Sequence, residues 1–487
     1  MSNLGKAQLL AGRLAEAESS LLTAIQVWES LRAGLGSNDI NQISIFENQA
    51  NTYRSLQKTL IAQNKTNAAL EITERGRARA FVELLSRRLS TASMGGETPL
   101  LQALKPPNIQ QIQQIAKQQN TTLVEYSVIY KDAAGQGQQE PRASELFIWV
   151  IKPTGKIAFR RVDLTSLKIS LTDLVDKSRV AIGAGGRGSI IGIKPVDSIS
   201  QTKGLQQLYQ LLIQPIANLL PTDPNAHVIF LPQGSLFLVP FPALQDSTGK
   251  YLIEQHTILT APAIQVLELT HQQRQLLKAG STSFLVVGNP TMPSLAAKLG
   301  DPPQPLPPLP NAEKEALKIA QLLNTQAIIG SKATKAAIVQ QMQQARIIHL
   351  ATHGLLDGLK WLGTPGAIAL APAGKDDGLL TADEIFDLKL KAELIVLSAC
   401  DTGRGDIKGD GVVGLSRALI AAGVPSVIVS LWSVPDAPTA SLMQEFYKNL
   451  QRHSDKAQAL RQAMLATKQR NPEPVNWAAF TLIGEAQ

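Results

Sequence analysis

Apolar positions along this chain repeat with two different periods. From about residue 5 to residue 90 they recur every three or four places, the spacing of helices with one buried stripe. From Thr122 onward the pattern changes to short apolar runs bounded by Gly, Pro, Asn and Ser, the signature of strands. Runs at Thr122 to Tyr130, Glu145 to Ile151 and Ile157 to Val162 come first, the first two flanking a polar loop from Lys131 to Ser144. Helical stretches follow near Leu164 to Arg179 and Lys203 to Leu220, then apolar runs at Ala226 to Leu231, Leu236 to Val239 and Ser283 to Val287. Beyond residue 311 strands and helices alternate: helix Ala312 to Leu323, strand Thr325 to Ile329, helix Lys335 to Ala345 and an apolar run from Ile347. That alternation predicts a parallel sheet with right-handed crossovers.

Punctuation marks the divisions. Ser90 to Pro107 loses its period and collects Ser, Gly and Pro, and a short Gln-rich helix, Asn108 to Gln118, follows. Asp301 to Pro310 holds six prolines in ten residues and is therefore extended, free to wrap one half of the α/β region against the other. The expected organisation is a helical region over 1–90, a linker and short helix over 91–118, an amino-terminal α/β part over 119–300 and a second α/β part over 301–487.

In the first region Gly12, Ala24 and Trp28 are similar to the small, small and large aromatic positions of a tetratricopeptide repeat, with Ala15 where a tyrosine is usual. Asn64, Gly76 and Ala80 stand at equivalent offsets later, with a less regular helix from about Asn38 to Ala62 between. A plain helical bundle fits the same pattern. Either form is a brace or an interaction surface. The run Glu74 to Ala80 is basic and reads as a solvated helix face, as do the basic residues of the last helix around Arg461.

The chain has 487 residues, 44% hydrophobic and 18% charged, which are globular values. Its net charge of +8 permits acidic partners without demanding nucleic acid. A single cysteine excludes an internal disulfide framework and a cysteine metal cluster, and it fits a reducing compartment such as the cytoplasm. No run of 18 apolar residues occurs, so no membrane partner is expected. Met1 to Leu10 has neither the apolar core nor the cleavage site of a signal peptide. Because the chain opens almost directly inside a helical repeat, that says little about a longer parent. The glycine-rich stretch Ala181 to Ser189 lacks the Lys-Ser/Thr ending of a P-loop and follows no strand, so no nucleotide cofactor is expected. No metal is expected either: His349 and His353 are four apart on a strand, not a helix, and Asp376 and Asp377 do not continue into a calcium loop.

The chemistry concentrates between Arg346 and Trp432. Ile347-Ile348-His349-Leu350-Ala351-Thr352-His353-Gly354 and Glu393-Leu394-Ile395-Val396-Leu397-Ser398-Ala399-Cys400-Asp401-Thr402-Gly403 are each an apolar run ending in polar residues and glycine. Both read as buried parallel strands, with His353 and Cys400 at carboxyl ends, the edge where open α/β sheets bind ligands. A thiol attacks well only as thiolate, and a nearby imidazole can take its proton. Read alone, Cys400 is equally a small buried hydrophobe and His353 a satisfied strand-end histidine.

These residues resemble the CHAT-domain peptidases, relatives of caspases and separase. The resemblance covers His353-Gly354, Ser398 to Gly403, Gly409 to Arg417, and Gly423 to Ser426 through Ser430 to Asp436, and extends loosely from Thr122 to Phe480. It implies an α/β fold: a caspase-like sheet flanked by helices, preceded by the all-α repeat-like region. It also implies a cysteine endopeptidase with Cys400 as nucleophile, His353 as base, and the N–H groups of Gly354 and Cys400 as oxyanion hole. Asp401, Trp432 and Asp436 would border the substrate, with Asp436 flooring the first pocket and favouring Arg or Lys before the scissile bond. Asp436 also stands where it would cap the helix from Ala437 to Leu450. Pro435 and Pro438 stiffen this turn and depart from the family's pattern. The partners implied are a protein substrate and a regulatory protein held by the helices. A catalytically silent scaffold with the same fold is the alternative.

Overall fold

In the computed structural model the described residues are 1–33, 39–92, 105–131, 142–184, 198–277, 283–296, 300–355, 364–398, 406–408 and 411–487. Cys400 and Asp401, the core of the Ser90 to Pro107 linker and most of the Ala181 to Ser189 stretch lie outside them.

The strands expected from the apolar runs form one sheet of eleven. In chain order they are β1 (Thr122–Tyr130), β2 (Ala143–Ile151), β3 (Ile157–Asp163), β4 (His227–Leu231), β5 (Thr257–Thr260), β6 (Phe284–Pro290), β7 (Ala327–Gly330), β8 (Ile347–Ala351), β9 (Leu394–Leu397), β10 (Ser426–Ser430) and β11 (Phe480–Gly484). Their order across the sheet is β3-β2-β1-β4-β5-β11-β10-β9-β8-β6-β7. β1, β4, β5 and β11 are mutually parallel, as are β10, β9, β8, β6 and β7, and the two sets meet at the antiparallel pair β11–β10. The two halves therefore point their carboxyl edges in opposite directions. Alternate residues face alternate cores: Ile348, Leu350, Ile395 and Leu397 pack with helices Ile264–Leu276 and Leu415–Ala421. Ile347, Leu394, Val396 and Ile428 pack with helices Pro310–Leu322, Asp436–Arg452 and Lys456–Arg470. A strand covered on both faces needs apolar side chains at odd and even positions, which explains the unbroken runs in the sequence.

Leu236 to Val239, read as a strand, is instead a turn of 3-10 helix over Gly234–Leu238. Gly234 has φ +56, and Pro240 and Pro242 follow, so no ladder can start there.

The helical region is not a solvated appendage. Glu74, Arg77 and Arg79, expected on an open face, are buried. Arg77 closes the carboxyl end of β4, donating from Nη1 to Pro232 O at 2.7 Å and from Nη2 to Tyr126 O at 2.5 Å. Its Nε stands 3.2 Å from the Glu125 carboxylate and 3.9 Å from that of Glu74. Glu74 in turn accepts from the N–H groups of Ile264 and Gln265 at 3.1 and 3.2 Å, capping the helix Ile264–Leu276 from outside its own segment. Two carboxylates thus share one guanidinium out of water. Burial, then the neighbouring Glu74 charge, raise Glu125 well above the ordinary carboxylate range; burial also raises Glu74, against the pull of Arg77. A carboxyl so placed is held neutral and bonds its ionised neighbour.

The next helix, Arg79–Ala92, reaches the other half. Phe81, Val82 and Leu85 join the core behind β8 and β9, and Arg88 donates to Ala421 O at 2.7 Å, Leu388 O at 3.3 Å and Phe386 O. One guanidinium thereby caps the ends of helices Ala382–Asp387 and Leu415–Ala421, satisfying carbonyls that have no partner within their own helices. Arg461, also expected in solvent, is buried and donates to Ile253 O at 2.8 Å and Glu254 O at 3.1 Å.

Removing one member of a buried charge group costs about 3–5 kcal/mol, because the rest stay desolvated. Arg77→Met should therefore lower the thermal midpoint by several degrees at a fixed scan rate. Glu125→Gln, which keeps a neutral donor for Glu74, should leave the midpoint unchanged or raise it. A second prediction concerns acid. Burial, followed by the charges of Arg461 and Lys250, pushes His256 down to about 4. An unfolded histidine titrates near ~6.5, so between these values the unfolded chain holds the extra proton and stability falls as pH falls, by on the order of 3 kcal/mol. His256→Gln should flatten the pH dependence of the midpoint across that window.

Candidate active site

The site is built from the carboxyl ends of β8 and β9. They run parallel with Ile347 opposite Leu394 and Leu350 opposite Leu397, and Ser398 N donates to Leu350 O at 3.0 Å. His353 lies three residues beyond Leu350 in sequence, and Cys400 three beyond Leu397.

His353 is buried, with 4% of its surface exposed. Its main chain is clamped to a three-stranded side sheet of Gly354–Leu355, Ala367–Ala369 and Leu379–Thr381. Ala369 N donates to His353 O at 3.0 Å, and the Thr352 hydroxyl donates to Ala369 O at 2.7 Å. The imidazole is set by a group that no residue type announces. Its Nε2 lies 2.8 Å from the carbonyl of Pro307, in the proline-rich stretch. A carbonyl can only accept, so Nε2 carries the proton and Nδ1 carries the lone pair. The backbone oxygen therefore selects the tautomer and holds the ring.

That stretch is itself held. Gln304–Pro305 pairs with Ser294–Leu295, and Leu306 N donates to Pro293 O at 3.0 Å. Asn289, at the end of β6 with φ +43, accepts from Leu309 N at 2.8 Å and donates to Glu313 at 2.9 Å. Four residues past Pro307, Asn311 N donates to the Asp436 carboxylate at 3.3 Å. Asp436 is half-buried and is the first residue of the helix Asp436–Arg452. Four extended residues span at most about 14 Å, which bounds the path along the chain from Pro307 to Asn311.

Trp432 has no exposed surface. Its indole donates to Val475 O at 3.1 Å, so it supports the turn Ser433 to Pro435 from behind. Gly354 is half-buried at the start of its short strand. Beneath the site lies a cluster that the sequence did not mark. His349, fully buried, stands 2.9 Å from Glu315 through Nε2 and 3.2 Å from the Tyr447 hydroxyl through Nδ1. Burial, then the Glu315 charge, hold the Tyr447 phenol well above its usual range. This cluster ties β8 to the helices Pro310–Leu322 and Asp436–Arg452, whose first turns carry Asn311 and Asp436. No signal in the sequence marked Pro307 beyond the need for extended chain. Prolines take no part in sheet ladders as donors, which leaves nearby carbonyls available. Among the described residues no group of three or more His, Cys, Asp or Glu side chains is arranged to hold a metal, and no helix is long and apolar enough to cross a membrane.

Comparison with known proteins follows the same lines. The CHAT domain family matches residues 202–485, more than half of the chain, and the chain belongs to that family. Tetratricopeptide repeat protein 28 of Mus musculus and that of Homo sapiens are each 26% identical to it, across 99% of this chain and 24% of their own length. The chain thus spans about a quarter of those curated relatives. The Saccharomyces cerevisiae separase–securin complex includes a chain 11% identical, with a TM-score of 0.49, covering 92% of this chain and 37% of that one.

The cluster under the site is testable without any substrate. Glu315→Ala leaves His349 and the Tyr447 hydroxyl buried without their acid, and the midpoint should fall by several degrees. Tyr447→Phe, which removes one neutral bond, should cost about 1 kcal/mol.

Proposed function

We propose that this CHAT-family chain is a cysteine endopeptidase. Cys400 is the nucleophile and His353 the base. The thiol proton passes to His353 Nδ1, and the thiolate attacks the scissile carbonyl. The N–H groups of Gly354 and Cys400 receive the oxyanion. The imidazolium returns its proton to the departing amine, and water then releases the acyl group from sulfur. Asp436 receives the side chain before the scissile bond, an Arg or Lys paired through charge-assisted bonds, with Asp401 on the border of that pocket; Trp432, with no exposed surface, lies behind it and does not touch substrate.

The observation that carries this reading is the hydrogen bond from His353 Nε2 to Pro307 O. It supports the tautomer a thiol base needs, with the lone pair of the neutral ring on Nδ1. The register, with Leu350 opposite Leu397, supports the pairing of the two motifs. For the pocket, the support is that the proline-rich stretch contacts both groups: Pro307 O meets the base, and Asn311 N, four residues on, meets the Asp436 carboxylate. The further organisation proposed is a helical region over 1–90 that recruits substrate or regulator, a connection over 91–118, and α/β parts over 119–300 and 301–487. The reducing cytoplasm is the compartment proposed, since a single free thiol must stay reduced to act.

Cys400→Ala and His353→Ala should each lower cleavage of a casein or peptide-library substrate about a thousandfold or more, with the circular-dichroism spectrum unchanged. Asp436→Ala should lower kcat/KM for Arg-containing substrates by about a hundredfold while sparing kcat/KM for uncharged ones. Cleavage by the Cys400→Ala protein at the wild-type rate would sink the peptidase assignment. A Cys400 thiol unreactive to iodoacetamide at neutral pH would point to the silent scaffold instead.

A further inference from the structure

A second cleft opens far along the chain from the thiol motif, where the first helix, Ser2–Leu10, and the helix Asp39–Ala62 meet the end of β1. Its volume is about 510 Å³. Four cations line it: Lys6, Arg54, Lys58 and Lys131. Among the described residues no acidic one does. The walls are built, not incidental. The Ser2 and Thr52 hydroxyls bond across the two helices at 2.8 Å, and the Arg54 guanidinium lies 4.7 Å over the Tyr130 ring.

Arg54 is the unusual member. Its Nη1 donates to the Asn51 carboxamide at 3.0 Å, and its Nε is buried with no hydrogen-bond partner among the described residues. Nor does any described carboxylate come within ion-pair distance of it. Elsewhere this protein partners its buried cations with carboxylates or with rows of carbonyls, as for Arg77, Arg88 and Arg461. A half-desolvated guanidinium resting on a ring and one amide is costly, and three more cations around the same space raise that cost. Lys131 is partly engaged, since its charge also acts on Asp163 at the sheet edge. A ligand anion entering the cleft would supply the missing counter-charge and gain from the focused field.

We infer that this cleft binds an acidic peptide segment of a partner protein through its Asp or Glu carboxylates. Asn3 and Asn51, also in the walls, offer the paired donor and acceptor that a peptide backbone uses. Single-stranded nucleic acid fits less well. Bases need open aromatic faces to stack on, and the one aromatic ring here, Tyr130, is already covered by Arg54. The inference stands apart from the peptidase assignment, because it concerns binding at a place the thiol chemistry does not touch.

The test uses the full chain carrying Cys400→Ala, so that cleavage cannot consume the probe. A fluorescein-labelled ten-residue peptide of Glu, Asp and Gly is titrated by anisotropy, beside a Gln, Asn and Gly peptide of equal length and a labelled oligouridylate. The acidic peptide should bind at least tenfold more tightly than the neutral peptide, and more tightly than the oligouridylate. Arg54→Gln and the double variant Lys6→Ser, Lys58→Ser should each weaken it at least tenfold, with unchanged thermal midpoints. The double variant alters only partly exposed side chains, so it remains informative should Arg54→Gln misfold. Equal binding of the acidic and neutral peptides overturns the inference. So does acidic-peptide binding that both variants leave intact, or tighter binding of oligouridylate that depends on the same residues.

Discussion

Parallel pairing of two neighbouring strands puts both of their carboxyl ends on one edge, and the proposed site depends on that constraint. Leu350 and Leu397 are partners in the ladder, so the chain leaves both strands at the same edge. Short apolar strands suffice, because each is covered on both faces and cannot slide without moving a whole row of side chains into the wrong core. The antiparallel seam between β11 and β10 then turns the first half of the sheet end for end. The two halves do not compete for one edge. The helical region closes the carboxyl end of β4 with Arg77, while the edge bearing His353 is bordered by the proline-rich stretch.

Backbone carbonyls do much of the work that side chains do in other proteins. Pro307 O orients the imidazole, Pro232 O and Tyr126 O hold Arg77, and the last carbonyls of two short helices hold Arg88. A guanidinium meets several such oxygens at once and never loses its charge, which suits it to join segments remote in sequence. The cost is rigidity of composition. Arg77 is buried and Arg88 half-buried with their partners, and no neutral residue of similar shape offers five donors.

The strands β8 and β9 were legible in the sequence because double burial leaves unbroken apolar runs, and the strand-end position of His353 was legible because polar residues and glycine interrupt its run. The helices were legible from their period, and so was the extended proline-rich stretch. What the sequence hid was direction and partnership. Nothing in Glu74-Arg75-Gly76-Arg77 distinguishes a guanidinium facing water from one facing a row of carbonyls, and the count of basic residues favoured water. The part played by Pro307 was hidden for a different reason: the acting atom is a main-chain oxygen that every residue possesses. Leu236 to Val239 misled because its apolar content matched a strand, while the left-handed glycine before it and the prolines after it bent the chain into a tight turn.

Arg88 gives the helical region a stake in the opposite half of the molecule. A guanidinium from residue 88 finishes two helices that begin near residues 382 and 415, and Phe81 lies 5.2 Å from the Arg417 guanidinium on the second of them. Modular inheritance, in which a repeat array is exchanged for another by recombination at a convenient linker, is consequently restricted here. An exchange made at the glycine-rich junction near residue 95 would strip the sheet of its lining. Only one made upstream, among the outer helices, could diversify the array and still leave a sound fold behind.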